Sequence, residues 1–135
     1  MNGYLINNLD RNRLPSPARA EWGWWYQYYF ATERARAGLD ANRRDLAQLI
    51  WKFNSPTWDY DDAIFDRAAA SFDNPDYVSI VIHNYRWRLR LAEGDPQHEE
   101  LEKRLAQGPV IAVPTITLVG DSDGVAPAPT GALML

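Results

Sequence analysis

The sequence contains no cysteine. That absence excludes disulfides, thiolate metal sites and a cysteine nucleophile together. Histidine is nearly as scarce, with only His83 and His98. The two lie well apart and have no clustered carboxylates at ligand spacing, so no metal site and no cofactor are expected. His98 falls in a charged stretch and reads as solvated, and His83 falls among aromatic residues and reads as a packing residue. No apolar run approaches the roughly 20 residues that a membrane helix requires. The N-terminal segment also lacks the charged start and apolar core of a signal peptide. A cytoplasmic setting with no membrane partner is the resulting expectation. Positive charge is lacking as well: the formal net charge is −4, whereas nucleic-acid binding normally rests on a basic face that displaces counterions. The arginines that cluster, at Arg34/Arg36, Arg43/Arg44 and Arg86/Arg88/Arg90, are interleaved with acids. They read as solvated helix faces with ion pairs, so no nucleic-acid partner is expected.

What the chain does have is aromatic mass. Six Trp, seven Tyr and four Phe occur in 135 residues, a load that means either a large core or a lined pocket. The length suits one domain at most, and a domain of this size can bury roughly two-thirds of its unfolded surface. With 46% hydrophobic and 24% charged residues, the composition is that of a folded chain.

Along the chain, Gly3-Tyr4-Leu5-Ile6 reads as the end of a strand running into a loop. Ser16-Pro17 is a helix start, with Ser capping and Pro in the first helical position. Trp22, Trp25, Tyr26 and Tyr29 recur at helical spacing, and the helix is expected to run to about Gly38. A second helix is expected over about 41–53, with Leu46, Leu49, Ile50 and Phe53 on one face. Asp61 caps a third, with Ile64, Phe65, Ala68 and Phe72 inward. The stretch 77–91 is ambiguous: Val78, Ile80 and Ile82 alternate as in a strand, while Val78, Val81, Ile82, Tyr85 and Leu89 fit a helix. The Asn74-Pro75 start and the length favour helix. Gly94-Asp95-Pro96 opens a fifth helix that Gly108-Pro109 stops. Residues 110–119 are apolar and β-branched and read as a buried strand beginning near Pro114. Helices followed by a strand apolar on both faces form a lopsided architecture, since such a strand belongs in the middle of a parallel sheet.

Two constellations could carry chemistry. Gly120-Asp121-Ser122-Asp123-Gly124 fits the G-x-S-x-G pattern of a nucleophile elbow. That elbow needs a helix immediately afterwards, and Val125-Ala126-Pro127-Ala128-Pro129 makes a poor one. The same segment also reads as strand, glycine, then an acid that orients a histidine, with Asp123 first and Asp121 second, or as an acidic surface turn. Tyr26, within Trp25-Tyr26-Gln27-Tyr28-Tyr29-Phe30, and Tyr85, within Asn84-Tyr85-Arg86-Trp87, are phenols in apolar surroundings. Such phenols can donate hydrogen bonds to an oxygen that is becoming negative. Periodicity alone also allows these stripes to be plain core.

At these residues the chain resembles a family. Tyr26-Gln27-Tyr28-Tyr29-Phe30 resembles a motif early in the cap of epoxide hydrolases of the α/β-hydrolase fold. Asn84-Tyr85-Arg86 resembles the second cap tyrosine motif. Val113-Pro114-Thr115-Ile116-Thr117-Leu118-Val119-Gly120, followed by Asp123, resembles the strand and acid loop after the cap. The resemblance implies a mainly α chain: the helical cap of an α/β-hydrolase plus one or two strands of an incomplete core sheet. Its parts would be a core strand end and linker over 1–14, the cap over 15–107, and a core strand, acid loop and irregular tail over 108–135. It implies Tyr26 and Tyr85 as paired phenols that bind and protonate an epoxide oxygen, and Asp123 as the acid orienting the catalytic histidine. Trp25, Tyr29 and Phe30 would contact a small apolar substrate, an epoxide or an ester. In the family an aspartate attacks an epoxide carbon, and a histidine-activated water hydrolyses the ester to a diol. The chain departs from the family in having no H-G-x-P-like segment, no convincing elbow and no histidine after Asp123, and Thr130-Gly131-Ala132-Leu133-Met134-Leu135 is unlike family sequence. The expectation is a fragment that is inactive alone. Dehalogenases and esterases share such caps. A small helical binding module with an aromatic face is the competing expectation. The oligomeric state is left open.

Overall fold

Side-chain caps set three of the helix starts among the described residues. The computed structural model describes residues 13–114, 116 and 120–125. Thr32 Oγ1 accepts from the Ala35 N–H at 3.1 Å and opens helix α3 (Glu33–Ala41). The same hydroxyl donates to the Tyr29 carbonyl at 2.8 Å, tying α3 to the helix before it. Asp61 accepts from the Ile64 N–H at 2.8 Å and opens α5 (Asp62–Ala69), as the sequence led one to expect. Asp95 accepts from the Gln97 N–H at 2.9 Å and starts a 3₁₀ turn, Pro96–His98, that leads into α7 (Glu99–Ala106). Gly108, at φ 65°, lies just past the end of α7, in the left-handed conformation that glycine takes up without strain.

The single helix expected from Ser16-Pro17 to about Gly38 is instead three: α1 (Ala18–Gly23), α2 (Trp25–Phe30) and α3. Pro17, not Ser16, holds the cap position of α1, and no side chain caps it. The chain turns at Trp24 (φ −96°, ψ 13°) and again at Thr32, which is extended (φ −97°, ψ 155°). These breaks have a packing reason. They allow Tyr26 and Phe30 of α2 and Ala35 and Leu39 of α3 to bury together against Val78 and Ile82 of α6 (Tyr77–Arg88).

Helix α6 resolves the ambiguity of 77–91. A strand would place residues 78, 80 and 82 on one face. Val78 and Ile82 are buried while Ile80 is 58% exposed, which is the pattern of a helix. Helix α4 (Arg43–Asn54) puts Leu46 and Ile50 against the core, but Leu49, expected on the same face, is 52% exposed. A second aromatic cluster sits beside the core. Trp51 stacks on Trp58 with centroids 5.3 Å apart and meets Phe65 of α5 edge-on. Phe72, in a 3₁₀ turn after α5 (Ala70–Asp73), carries the contact on to Tyr77 at 4.9 Å.

The arginine clusters pair with acids. Arg43 bonds Asp40 at 2.6 Å, Arg44 pairs with Asp66, and Arg86 reaches Glu33 at 3.4 Å. The chain is mainly α. The strand expected over 110–119 is only partly covered: among the described residues, 110–114 and 116 form no strand, and Val110 is 92% exposed. Residues 115 and 117–119, the expected strand end near Gly3, and the tail beyond Val125 lie outside the described residues. No helix among the described residues is long and apolar enough to cross a membrane.

Candidate functional site

A cavity of about 740 Å³ opens between α2, the C-terminal end of α4, α6 and the loop at 120–125. Tyr26 and Tyr85 both line it, and so do Asp121 and Asp123. Residues named from three separate stretches of sequence thus face one space.

The two phenols are held by packing. Tyr26 of α2 is 7% exposed and meets Tyr85 of α6 edge-on, with centroids 6.0 Å apart and planes at 87°. Phe30, one helical turn after Tyr26, lies almost parallel to the Tyr85 ring at 5.3 Å. Trp25 abuts the other side of Tyr26 edge-on at 6.1 Å. Aromatic pairs at such distances and angles favour one mutual orientation over others. Next to Tyr85, Arg86 fixes the end of α6. Its guanidinium donates to the Ala31 carbonyl at 3.1 Å and to the Leu91 carbonyl at 3.4 Å. One side chain therefore ties α6 to the junction between α2 and α3.

Trp25, Tyr29 and Phe30, expected to contact substrate, occupy the packing layer behind the phenols. Trp25 and Tyr29 pack on each other at 6.2 Å, and Phe30 backs Tyr85. The Tyr29 hydroxyl sits where a Cβ at Gly38 would lie only 2.2 Å from it, so α2 and α3 approach closely there because residue 38 has no side chain. The aromatic wall of the cavity comes from Trp24, Trp51 and Trp58 instead. Sequence reasoning did not single these out. Trp51 and Trp58 flank the turn at Pro56 and meet only through tertiary packing. Trp24 sits at a helix break that the periodicity hid.

The loop at 120–125 is docked by its backbone. The Gly124 N–H donates to the Asn54 carbonyl at 3.0 Å, at the C-terminus of α4. A Cβ at Gly124 would fall 1.9 Å from the Phe53 carbonyl oxygen, so only glycine fits this approach. Val125 lies over Gly23 of α1, 3.3 Å from where a Cβ there would be. Within the loop, Asp123 is half-buried and its Oδ1 accepts from the Val125 N–H at 2.8 Å. Asp121 is exposed and accepts from the Ser122 hydroxyl at 3.1 Å.

Both histidines face a different cavity, of about 1000 Å³, between α6 and α7. His83, expected as a packing residue, is exposed on the outer side of α6. No cluster of three or more His, Cys, Asp or Glu residues suited to a metal ion occurs among the described residues. Away from the first cavity, Tyr28 of α2 is an exposed phenol whose pKa is raised. Desolvation, then its hydrogen bond to Glu21, pushes it up to about 12.

No family model matches the chain, and no curated protein matches it. Among solved structures, it is similar to a protein of Klebsiella pneumoniae subsp. pneumoniae MGH 78578 described as a "putative epoxide hydrolase". The two share 49% identity over 94% of this chain, with a TM-score of 0.88. The chain spans 42% of the length of that protein.

Proposed function

We propose that this chain is the helical cap and acid-bearing loop of an epoxide hydrolase of the α/β-hydrolase type, with cap residues over 15–107 and core residues over 108–135. Tyr26 and Tyr85 are the phenols that hold the epoxide oxygen and give it a proton as the ring opens. Phenolic donors placed where negative charge develops act mainly by electrostatic stabilisation. Trp24, Trp51 and Trp58 exclude water around a small apolar substrate. Asp123 is the acid that orients the histidine, and Asp121 is its solvated neighbour. Neither the nucleophile nor that histidine is in this sequence, so the chain alone binds epoxides and does not turn them over.

One observation carries the reading: Tyr26, Tyr85 and Asp123, far apart in sequence, line a single cavity. The likeness to the Klebsiella protein supports it. The test is tryptophan-fluorescence titration of the purified chain with trans-β-methylstyrene oxide, together with mass spectrometry of chain and solution. Quenching that Tyr26→Phe and Tyr85→Phe each weaken is expected, with no diol and no covalent adduct. Binding indifferent to both hydroxyls refutes the phenol roles, and diol formation refutes inactivity. The second reading, a stand-alone helical module holding an apolar ligand, is favoured by the tryptophan wall and predicts that indifference.

A further inference from the structure

We propose that the exposed end of the cavity between α2 and α6 holds a quaternary ammonium group, and that the site selects epoxides that carry one. The inference rests on the epoxide-binding reading and adds a substrate class to it. Trp24, Tyr26, Trp51, Trp58 and Tyr85 all line this space. The face of an aromatic ring is its negative side and attracts cations, indole most strongly. The cavity already makes one such contact with its own side chains. Arg88 lines the same space, and its guanidinium lies over the Tyr85 ring, 6.0 Å from the centroid.

The ionised side chains of the lining favour a further cation over an anion. Among the described residues, Asp121 and Asp123 stand there against Arg88 alone. Asp121 is exposed, accepts from the Ser122 hydroxyl at 3.1 Å and forms no ion pair among the described residues. These carboxylates are brought to the cavity by a docked backbone, through the Gly124 N–H bond to the Asn54 carbonyl at 3.0 Å. Burial sets which end of a ligand goes where. Tyr26 is 7% exposed, whereas Trp58 is 47% exposed and Asp121 is exposed as well. Burying a charge fully costs more than an aromatic contact returns. The cation therefore stays at the exposed end beside Trp58 and Asp121, and the epoxide ring goes inward to the phenols. A quaternary ammonium suits these walls better than a primary amine does. It has no N–H in need of an acceptor, an indole N–H offers none, and its methyl groups present an apolar surface.

The test compares glycidyltrimethylammonium with neopentyloxirane, its neutral isostere with carbon in place of nitrogen, and with the anion glycidate. Each is titrated into the full chain by isothermal calorimetry, in wild type, Trp58→Leu and Asp121→Asn. The wild type should bind the cationic epoxide about tenfold more tightly than the isostere, the ratio that a cation over an indole with a carboxylate nearby gives. Trp58→Leu and Asp121→Asn should each shrink that ratio about two- to fivefold by losing affinity for the cation alone. Asp121→Asn keeps the size and shape of an exposed side chain, so it decides the matter even if Trp58→Leu fails to fold. Equal binding of cation and isostere, or tighter binding of glycidate, overturns the assignment while the epoxide reading stands. A cation preference unmoved by Asp121→Asn overturns it as well. If neither neopentyloxirane nor glycidyltrimethylammonium binds the wild type, the epoxide reading fails and the selectivity fails with it.

Discussion

The position of the acid loop depends on Gly124, and Gly124→Ala tests that dependence. A methyl carbon at residue 124 would sit 1.9 Å from the Phe53 oxygen and 3.1 Å from both the Phe53 carbonyl carbon and Pro56 Cδ. Even the close contacts counted as weak C–H···O bonds keep carbon and oxygen about 3.3–3.6 Å apart. The loop must therefore retreat by more than about 1 Å, and its obstacle is backbone, which cannot rotate away as a side chain would. The bond from the Gly124 N–H to the Asn54 carbonyl starts at 3.0 Å. Lengthened by that much it is no longer a hydrogen bond. The lost bond accounts for about 0.5–1.5 kcal/mol, and the overlap adds an overpacking cost of about 1–3 kcal/mol. The loop can swing off instead of bearing the full cost, so the penalty is capped by the free energy of docking. Global unfolding should then move little while local protection disappears. The assay is amide hydrogen exchange at residues 124 and 125 beside urea unfolding of the whole chain. Gly120→Ala is the matched control, because a Cβ at Gly120 meets nothing within 4 Å. Gly124→Ala should abolish protection of the Gly124 amide with a small change in urea midpoint, and Gly120→Ala should do neither. Retained protection in Gly124→Ala would refute the docking geometry and, with it, the placement of Asp123 at the cavity.

Three further outcomes follow from the packing, the caps and the phenols. Ile82→Ala, at a site with 0% exposure, should cost about 2–5 kcal/mol in chemical denaturation, and Ile80→Ala, 58% exposed, should cost far less; equal costs would restore the strand reading of this stretch. Asp61→Ala should destabilise by about 1 kcal/mol through loss of the α5 cap, with Asp61→Asn close to wild type; a neutral Asp61→Ala would show the cap is idle. Tyr28 ionises near 12 instead of 10.0 because burial and then Glu21 disfavour its phenolate. The folded chain holds that proton longer than the unfolded one, so the contribution is complete below pH 10 and is lost as pH rises towards about 12. Tyr28→Phe should remove a late-titrating phenol from the absorbance of the folded chain, and an unchanged high-pH limb would count against the Glu21 contact.

Local chemistry made much of this fold legible. Asp61 announced α5, Asp95 the turn into α7, and Gly108 its end, because a cap is a short-range bargain between neighbouring residues. The length and Asn74-Pro75 start of α6 correctly outweighed its strand-like alternation. The breaks at Trp24 and Thr32 were hidden for the opposite reason. Trp22, Trp25, Tyr26 and Tyr29 keep helical spacing across both sides of Trp24, and what breaks the helix is the demand to bury Tyr26, Phe30, Ala35 and Leu39 on one core. The candidate site divides the same way. Tyr26, Tyr85 and Asp123 stood in motifs and could be named. Trp51 and Trp58 could not, since their stacking depends on how the chain turns at Pro56.

The aromatic stripes allowed two readings, core or site, and Tyr26 shows that packing in the core and lining a cavity are compatible. Tyr26 belongs to the buried cluster and also to the cavity wall. Tyr85 is partly buried against that cluster, stacked on Phe30 and met edge-on by Tyr26. A phenol on an open surface samples several rotamers and offers its proton in many directions. A ring clamped between neighbours keeps fewer orientations. A donor already aimed needs little reorganisation when negative charge appears, and most of its stabilising effect comes from that. The density of aromatic residues around α2 and α6 thus restricts the orientation of the Tyr26 and Tyr85 rings. By the same argument Phe30, which stacks on Tyr85 without lining the cavity, helps to set the orientation of that ring together with Tyr26.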